Sequence, residues 1–129
     1  MLLIEIDFSS EEAIYQQLRN QIIMGIATSQ ILDGETLPSV RQLADEIGIN
    51  MHTVNKAYSV LKQEGYVKLD RRKGAVISVS EDKMRALAQT ERDLRYVLAE
   101  AKCRNISREE VCRMVDRIYA EYDSELQSN

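Results

Sequence analysis

A mainly α protein with one small β-wing is the fold class this 129-residue sequence predicts, and three observations predict it. Two short amphipathic patterns are separated only by Gly48-Ile49-Asn50. Two β-prone runs then flank the consecutive cations Arg71-Arg72-Lys73. From Ser80 to the end there is no glycine or proline, only helical periodicity. The expected organisation is an N-terminal domain over residues 1–80 and a two-helix tail over residues 81–129.

At the N-terminus, Ile4, Ile6 and Phe8 alternate with polar residues and predict a short strand with no evident partner. Ser9-x-x-Glu12 reads as a capping box. With apolar residues at Ile14, Leu18, Ile22 and Ile26, it predicts a first helix from about Glu11 to Ser29, ended by the turn chemistry of Asp33-Gly34. Leu37-Pro38 breaks the chain, because a residue before proline avoids helical angles. Ser39, with Gln42 three residues on, caps a second helix whose inward face is Val40, Leu43, Ala44 and Ile47. Gly48 is its expected left-handed C-cap.

Asn50 is a good N-cap for a third helix, with Val54, Ala57, Tyr58 and Leu61 facing inward and Glu64-Gly65 closing it. These features alone fit a helix-turn-helix and an ordinary helical hairpin equally well. The next fifteen or so residues separate the two. Tyr66–Leu69 and Ala75–Val79 predict a β-hairpin whose tip is Asp70-Arg71-Arg72-Lys73-Gly74. A helix-turn-helix joined directly to a basic-tipped hairpin is a winged helix.

In the tail, Met84, Leu87, Leu94, Leu98 and Ala101 mark one helix face to about Lys102, interrupted by Glu91. That helix is a rod about 33 Å long. Arg104-Asn105-Ile106 breaks it. Ser107-x-x-Glu110 caps a last helix with Val111, Met114, Val115, Ile118, Tyr122 and Leu126 on its apolar face.

Composition excludes several classes. A 44% hydrophobic and 29% charged chain is globular material. The net charge of −4 excludes a whole-protein basic grip on nucleic acid, though not a local basic patch. Met1-Leu2-Leu3-Ile4 lacks a cationic flank and meets Glu5 and Asp7 at once, so no signal peptide is read there. No apolar run is long enough to span a membrane. Cys103 and Cys112 form no CxxC pattern and are expected to be reduced, buried thiols of a cytoplasmic protein, in core or interface packing of the tail helices. His52 is the sole histidine, so a zinc site or a Ser-His-Asp triad lacks its other members. The expectation is no enzyme, no metal and no cofactor.

The chemistry that remains is that of duplex DNA. A winged helix lays its third helix in the major groove and rests its wing on the backbone or in the minor groove. The N-terminal end of that helix offers Met51, His52, Thr53, Asn55 and Lys56. Asn can bond adenine in a bidentate manner, Thr offers a hydroxyl or methyl, and Lys can meet guanine or phosphate. Arg41 lies in the first turn of the second helix, beside free backbone N–H groups that suit a phosphate. Its competing partner is Asp45 at i+4, a weak surface pair. Between Thr36 and Gly74 seven cations stand against four anions, a local +3 that leaves −7 for the rest. Such sorting suits a DNA-binding face on an acidic body and predicts strong salt dependence.

The tail is too small to bury a core alone. It must pack on the first domain or on a second copy. A C2 pair would offer two recognition helices to a pseudo-palindromic operator. The candidate dimer face is Met84, Leu87, Leu94, Leu98, Val111, Val115, Ile118 and Tyr122. A winged-helix module that binds protein instead of DNA remains the competing function.

Several strings, taken in order, resemble a known family. They are Ile14-Tyr15-x-Gln17-Leu18, Leu37-Pro38-Ser39-x-Arg41-x-Leu43-Ala44, and Ile49-Asn50-x-x-Thr53-Val54-x-Lys56-Ala57-Tyr58 with Glu64-Gly65. Together they resemble the GntR family of bacterial winged-helix transcription regulators over about residues 11–79. The short tail, with Ala101-Lys102 and Ile106-Ser107-Arg108-Glu109-Glu110, is similar to the YtrA-like subgroup. The resemblance implies a homodimeric repressor of its own operon, often beside ABC-transporter genes, acting on double-stranded DNA. It implies DNA contacts from Ser39, Arg41, Thr53 and its neighbours, and from the wing tip Arg71, Arg72, Lys73 and Gly74. A small-molecule effector is neither implied nor excluded. Wings of that family commonly read Gly-x-Gly-Thr where this chain has Arg72-Lys73-Gly74-Ala75, so a wing turn of different shape is expected.

Overall fold

Helix α1 (Ile14–Ala27) carries Leu18 and Ile22 into the centre of the core, both fully buried, and is the platform for the rest of its unit. The computed structural model describes residues 4–79 and 82–128, without the side chains of 125–128. Met1-Leu2-Leu3, Ser80 at the expected boundary, and the side chain of Leu126 lie outside the described residues. The order continues with α2 (Val40–Ile47), α3 (Met51–Gln63), β1 (Val67–Asp70), β2 (Gly74–Ile77), α4 (Lys83–Cys103) and α5 (Arg108–Ser128). The chain divides into two compact units, 1–79 and 80–129.

The middle of the first unit folds by local rules. Ser39 accepts the Gln42 backbone N–H at 3.1 Å, and Asn50 Oδ1 accepts that of His52 at 2.7 Å. Gly48 closes α2 at φ 71°, a conformation that costs a residue with a Cβ. Leu43 and Ala44 of α2, with Val54, Ala57, Tyr58 and Leu61 of α3, are buried as the periodicity requires. The Tyr58 hydroxyl donates to the Pro38 carbonyl at 2.7 Å, tying α3 to the residue that precedes the cap of α2. Burial, and secondarily the charge of Glu46, pushes this phenol well above the usual tyrosine range. It therefore stays protonated as a donor.

That bond yields a measurable expectation. Tyr58→Phe leaves the carbonyl without its partner and should cost about 1 kcal/mol in denaturant unfolding at neutral pH. A raised folded-state pKa supplies stability below the unfolded value near 10 and loses it as pH rises above that. The variant should therefore lack part of the alkaline destabilisation of the parent. Equal alkaline slopes in parent and variant would contradict the assignment.

The N-terminal segment departs from expectation. Residues 4–8 form no strand. Their backbone instead pairs with two amides one turn apart on α1: Gln21 bonds both N–H and carbonyl of Glu5, and Gln17 those of Asp7. Side chains on a helix thus serve where a neighbouring strand was lacking. Ile4 and Ile6 pack on the core, while Phe8 stays exposed.

Ser9 and Glu12 form no capping box. Asp7 Oδ1 accepts both the Ser9 N–H (3.0 Å) and hydroxyl (2.6 Å), which holds the Asp7 carboxyl below its usual pKa. The helix starts later, at Ile14, with Ala13 as an N-cap that makes no side-chain bond. It also ends earlier than Ser29. Ser29 takes a left-handed φ of 62°, and the N–H groups of Gln30 and Ile31 turn back to the Gly25 carbonyl. Termination therefore precedes Asp33-Gly34.

β1 and β2 pair antiparallel, with Val67 opposite Ile77 and Asp70 opposite Gly74. A third edge, unforeseen in the sequence, lies along residues 34–37. There Thr36 bridges Val76, the Gly34 and Leu37 N–H groups donate to Ile77 and Ala75, and the Ile77 N–H donates to Glu35. Buried Leu37, Ala75 and Ile77 hold this edge in the core.

In the second unit, Asp82 caps α4 by accepting the Arg85 N–H at 3.1 Å. Asn105 at φ 60° makes the break. The Ser107–Glu110 box is reciprocal: the Ser107 hydroxyl accepts the Glu110 N–H at 3.1 Å, and the Glu110 carboxylate accepts the Ser107 N–H at 2.7 Å. α4 and α5 share little contact, and no described side chain of this unit is buried. Cys103 and Cys112 are accordingly exposed on the chain, which corrects the expectation of thiols buried in its own core. Helices without a shared core offer no interior to receive them. No helix among the described residues is long and apolar enough to cross a membrane.

Candidate nucleic-acid interface

The exposed end of α3 is built by two opposed demands on one helix. Val54, Ala57, Tyr58 and Leu61 are drawn into the core, which turns Met51, His52, Asn55 and Lys56 outward and leaves Thr53 half-buried between. Asn50 Oδ1 is engaged by the cap, so this oxygen supports the end of the helix, and the bond leaves the Nδ2 group of the same side chain uncommitted.

Arg41 stands exposed in the first turn of α2. The Asp45 pair considered from its spacing does not form. Among the described residues no carboxylate pairs with Arg41, Lys56 or Arg72. Elsewhere in the unit an arginine is tied up: Arg19 on α1 bonds Glu64 through Nε at 2.8 Å and Nη2 at 3.1 Å, bracing α1 against the end of α3. Ser39 directs its oxygen into the α2 cap while remaining exposed.

The wing tip is held by an aspartate where the common pattern has its first glycine nearby. Asp70 Oδ1 accepts the backbone N–H groups of Arg72 (2.8 Å) and Lys73 (3.0 Å), and Gly74 alone takes positive φ, at 85°. These bonds, the Arg72 one foremost, lower the Asp70 pKa. An aspartate cap therefore does what a second glycine would do by conformational freedom. The side chains of Arg71, Arg72 and Lys73 all project into solvent.

One partner was not evident from the sequence. The Lys56 ammonium lies over the Tyr15 ring, 4.1 Å from its centroid. Ile14, Tyr15, His52, Thr53 and Lys56 together line a shallow, open concavity between the starts of α1 and α3. Tyr15 and Lys56 both stand in the family-like strings, but no local spacing relates residues so far apart in the chain.

The second unit presents the apolar positions singled out from its periodicity. Met84, Leu87, Leu94, Leu98, Val115 and Ile118 are exposed, and Val111 and Tyr122 half-buried. Tyr122 meets Tyr119 edge-on at 6.4 Å. Among the described residues no cluster of His, Cys, Asp and Glu could hold a metal ion.

Comparison with known proteins agrees with this architecture. Residues 10–77 match the model of the bacterial regulatory proteins, gntR family. The HTH-type transcriptional repressor YtrA of Bacillus subtilis is 40% identical over 76 residues, 59% of this chain and 58% of that protein. The matched region spans 58% to 62% of the length of three curated relatives. Among solved structures, YtrA from Sulfolobus acidocaldarius, a GntR-family transcription factor, is 36% identical. It superposes with a TM-score of 0.60 over 92% of this chain and 97% of that one. A transcriptional antiterminator from Listeria monocytogenes EGD-e reaches a TM-score of 0.79 at 26% identity, over 94% of this chain and 92% of that one. A family domain spanning the helix-turn-helix and wing, together with regulators alike over nearly the whole chain, settles the assignment: this protein belongs to the gntR family of bacterial regulatory proteins, with YtrA proteins among its relatives, and that family consists of transcription regulators, not enzymes.

Proposed function

We propose that this protein is a sequence-specific, cytoplasmic transcription repressor that binds a pseudo-palindromic operator as a homodimer and controls an operon containing its own gene. The observation that carries the reading is the outward end of α3: a polar reading face set on a buried core, beside exposed Arg41 of α2 and Arg72 of the wing, with which no carboxylate among the described residues pairs. In this reading Met51, His52, Thr53 and Asn55 meet base edges, Ser39 and Arg41 meet phosphate, and Arg71, Arg72, Lys73 and Gly74 reach the minor groove or its backbone. The division of labour makes residues 1–80 the DNA-binding domain and residues 81–129 the dimerisation tail. Repression is favoured by the description of the Bacillus subtilis relative as a repressor.

The test is selection of bound sequences from a random duplex pool at near-physiological salt. An enriched inverted repeat of fixed spacing is the expected result. A single enriched half-site would remove the dimer, and no enrichment by folded protein would favour a protein-binding role.

With the operator in hand, Arg41→Ala should lower affinity roughly tenfold, as loss of one charge-assisted phosphate contact does. It should also reduce the slope of log affinity against log salt by about one. Circular dichroism and oligomeric state should not change. Undiminished binding by both Arg41→Ala and Arg72→Ala would refute this site map.

A further inference from the structure

The geometry points to Tyr15 as a positioning residue for DNA binding, one that holds the Lys56 ammonium at the wall of the major groove where it meets backbone phosphate and not a base edge. The inference rests on the reading of α3 as the recognition helix and assigns one of its residues a distinct task. The major groove is about 12 Å wide, and a helix with its side chains fills about 10–12 Å, so one helix enters and its neighbours stay outside. α1 packs along α3 and therefore remains at the groove rim when α3 is seated. An ammonium resting on a ring of α1 stays at that rim too, and the rim is where the phosphates run.

Three further observations agree. The ring centroid lies 4.1 Å from Lys56 Nζ, within the range of a cation–π attraction. No carboxylate among the described residues competes for Lys56. Tyr15 is itself half-buried and packed on the core, so the platform it offers is fixed. An ammonium has three donors and no acceptor, and the ring face leaves N–H groups free for anionic oxygens. A free lysine must give up rotamer entropy to make such a contact, and the ring reduces that loss beforehand. Asn55, the preceding residue on the helix, carries no such tether and is left to read bases.

The experiment is a double-mutant cycle on the full chain with its selected operator, with a panel of single-base-pair variants, and across a salt series. Lys56→Met should weaken binding to every duplex in the panel alike and reduce the salt slope by about one. Tyr15→Leu should weaken operator binding roughly two- to fivefold, the worth of an exposed cation–π contact. Tyr15→Phe should keep full affinity, since the ring face is retained. In the Lys56→Met background Tyr15→Leu should cost nothing more, because the two residues act as one.

Equal loss from Tyr15→Leu in both backgrounds would overturn the inference and leave Tyr15 a packing residue. So would a Lys56→Met protein that loses discrimination at one base pair with its salt slope unchanged. The parent protein run alongside separates the two levels. A parent that binds while the cycle is additive sinks this inference alone, whereas a parent that retains no operator sinks the DNA reading as well.

Discussion

Leu98→Asp together with Ile118→Asp is expected to convert the protein to a monomer and to lower operator affinity by roughly 100- to 10,000-fold, the usual worth of joining two binding modules. Both side chains are about as exposed in the isolated chain as a surface residue, 43% and 41% respectively. A surface substitution of that kind ordinarily changes stability by no more than about 0.5 kcal/mol. A large loss would therefore mean that these positions are covered in solution. The occupant argued for is a second copy. α4 and α5 each have 21 residues, share little contact and bury no described side chain, so their apolar faces lack a partner within the unit. The measurement is light scattering after size-exclusion chromatography, paired with titration of a full operator and of one half-site. Half-site binding should survive, because the first unit is untouched. An unchanged dimer that still grips the full operator would place the interface elsewhere.

The second large effect is on stability. Leu61→Ala should destabilise the protein by about 2–5 kcal/mol, through lost transfer energy and the cavity left behind. Leu61 is 0% exposed and belongs to one core cluster with Leu18 and Ile22 of α1 and Val67 of β1. A unit of this size holds a small core and sits near the low end of the usual range of about 5–15 kcal/mol. The melting temperature should fall by roughly 10–30 °C. Leu69 provides the internal control: it lies on β1 but is 65% exposed, so Leu69→Ala should stay within about 0.5 kcal/mol. Scanning both variants and the parent at one protein concentration keeps any dimer contribution equal. Comparable losses from the two leucines would refute the burial pattern.

The departures from expectation share one cause. A capping box, an Asx turn and a left-handed C-cap compete for the same few residues, and sequence spacing alone does not rank them. At Ser9 the nearer carboxylate of Asp7 won the hydroxyl, and α1 began at Ile14. At Ser107 the residue at the same offset is Asn105, which takes a left-handed φ of 60° at the break, and the box formed as spelled. Ile4, Ile6 and Phe8 alternate as a strand does, but the backbone found its partners in Gln17 and Gln21 on a helix. That pairing joins segments 10 and 16 residues apart, beyond the reach of any local pattern.

Sequence by itself determined the helix-turn-helix, the wing and the two tail helices, along with the family and the residues offered at the start of α3. Those features depend on contacts within one or two turns: Ser39 with Gln42, Asn50 with His52, Asp70 with Arg72, and an apolar face repeated at i, i+3, i+4 and i+7. Tertiary structure alone decided which polar groups remained available. It spent Tyr58 on Pro38, Arg19 on Glu64 and residues 34–37 on the edge of β2. It also set Lys56 on Tyr15 and left Cys103, Cys112 and the tail's apolar faces in the open. The physical reason is that local hydrogen bonds and periodicity act over a few residues, whereas burial and charge pairing depend on which distant segments the core brings together.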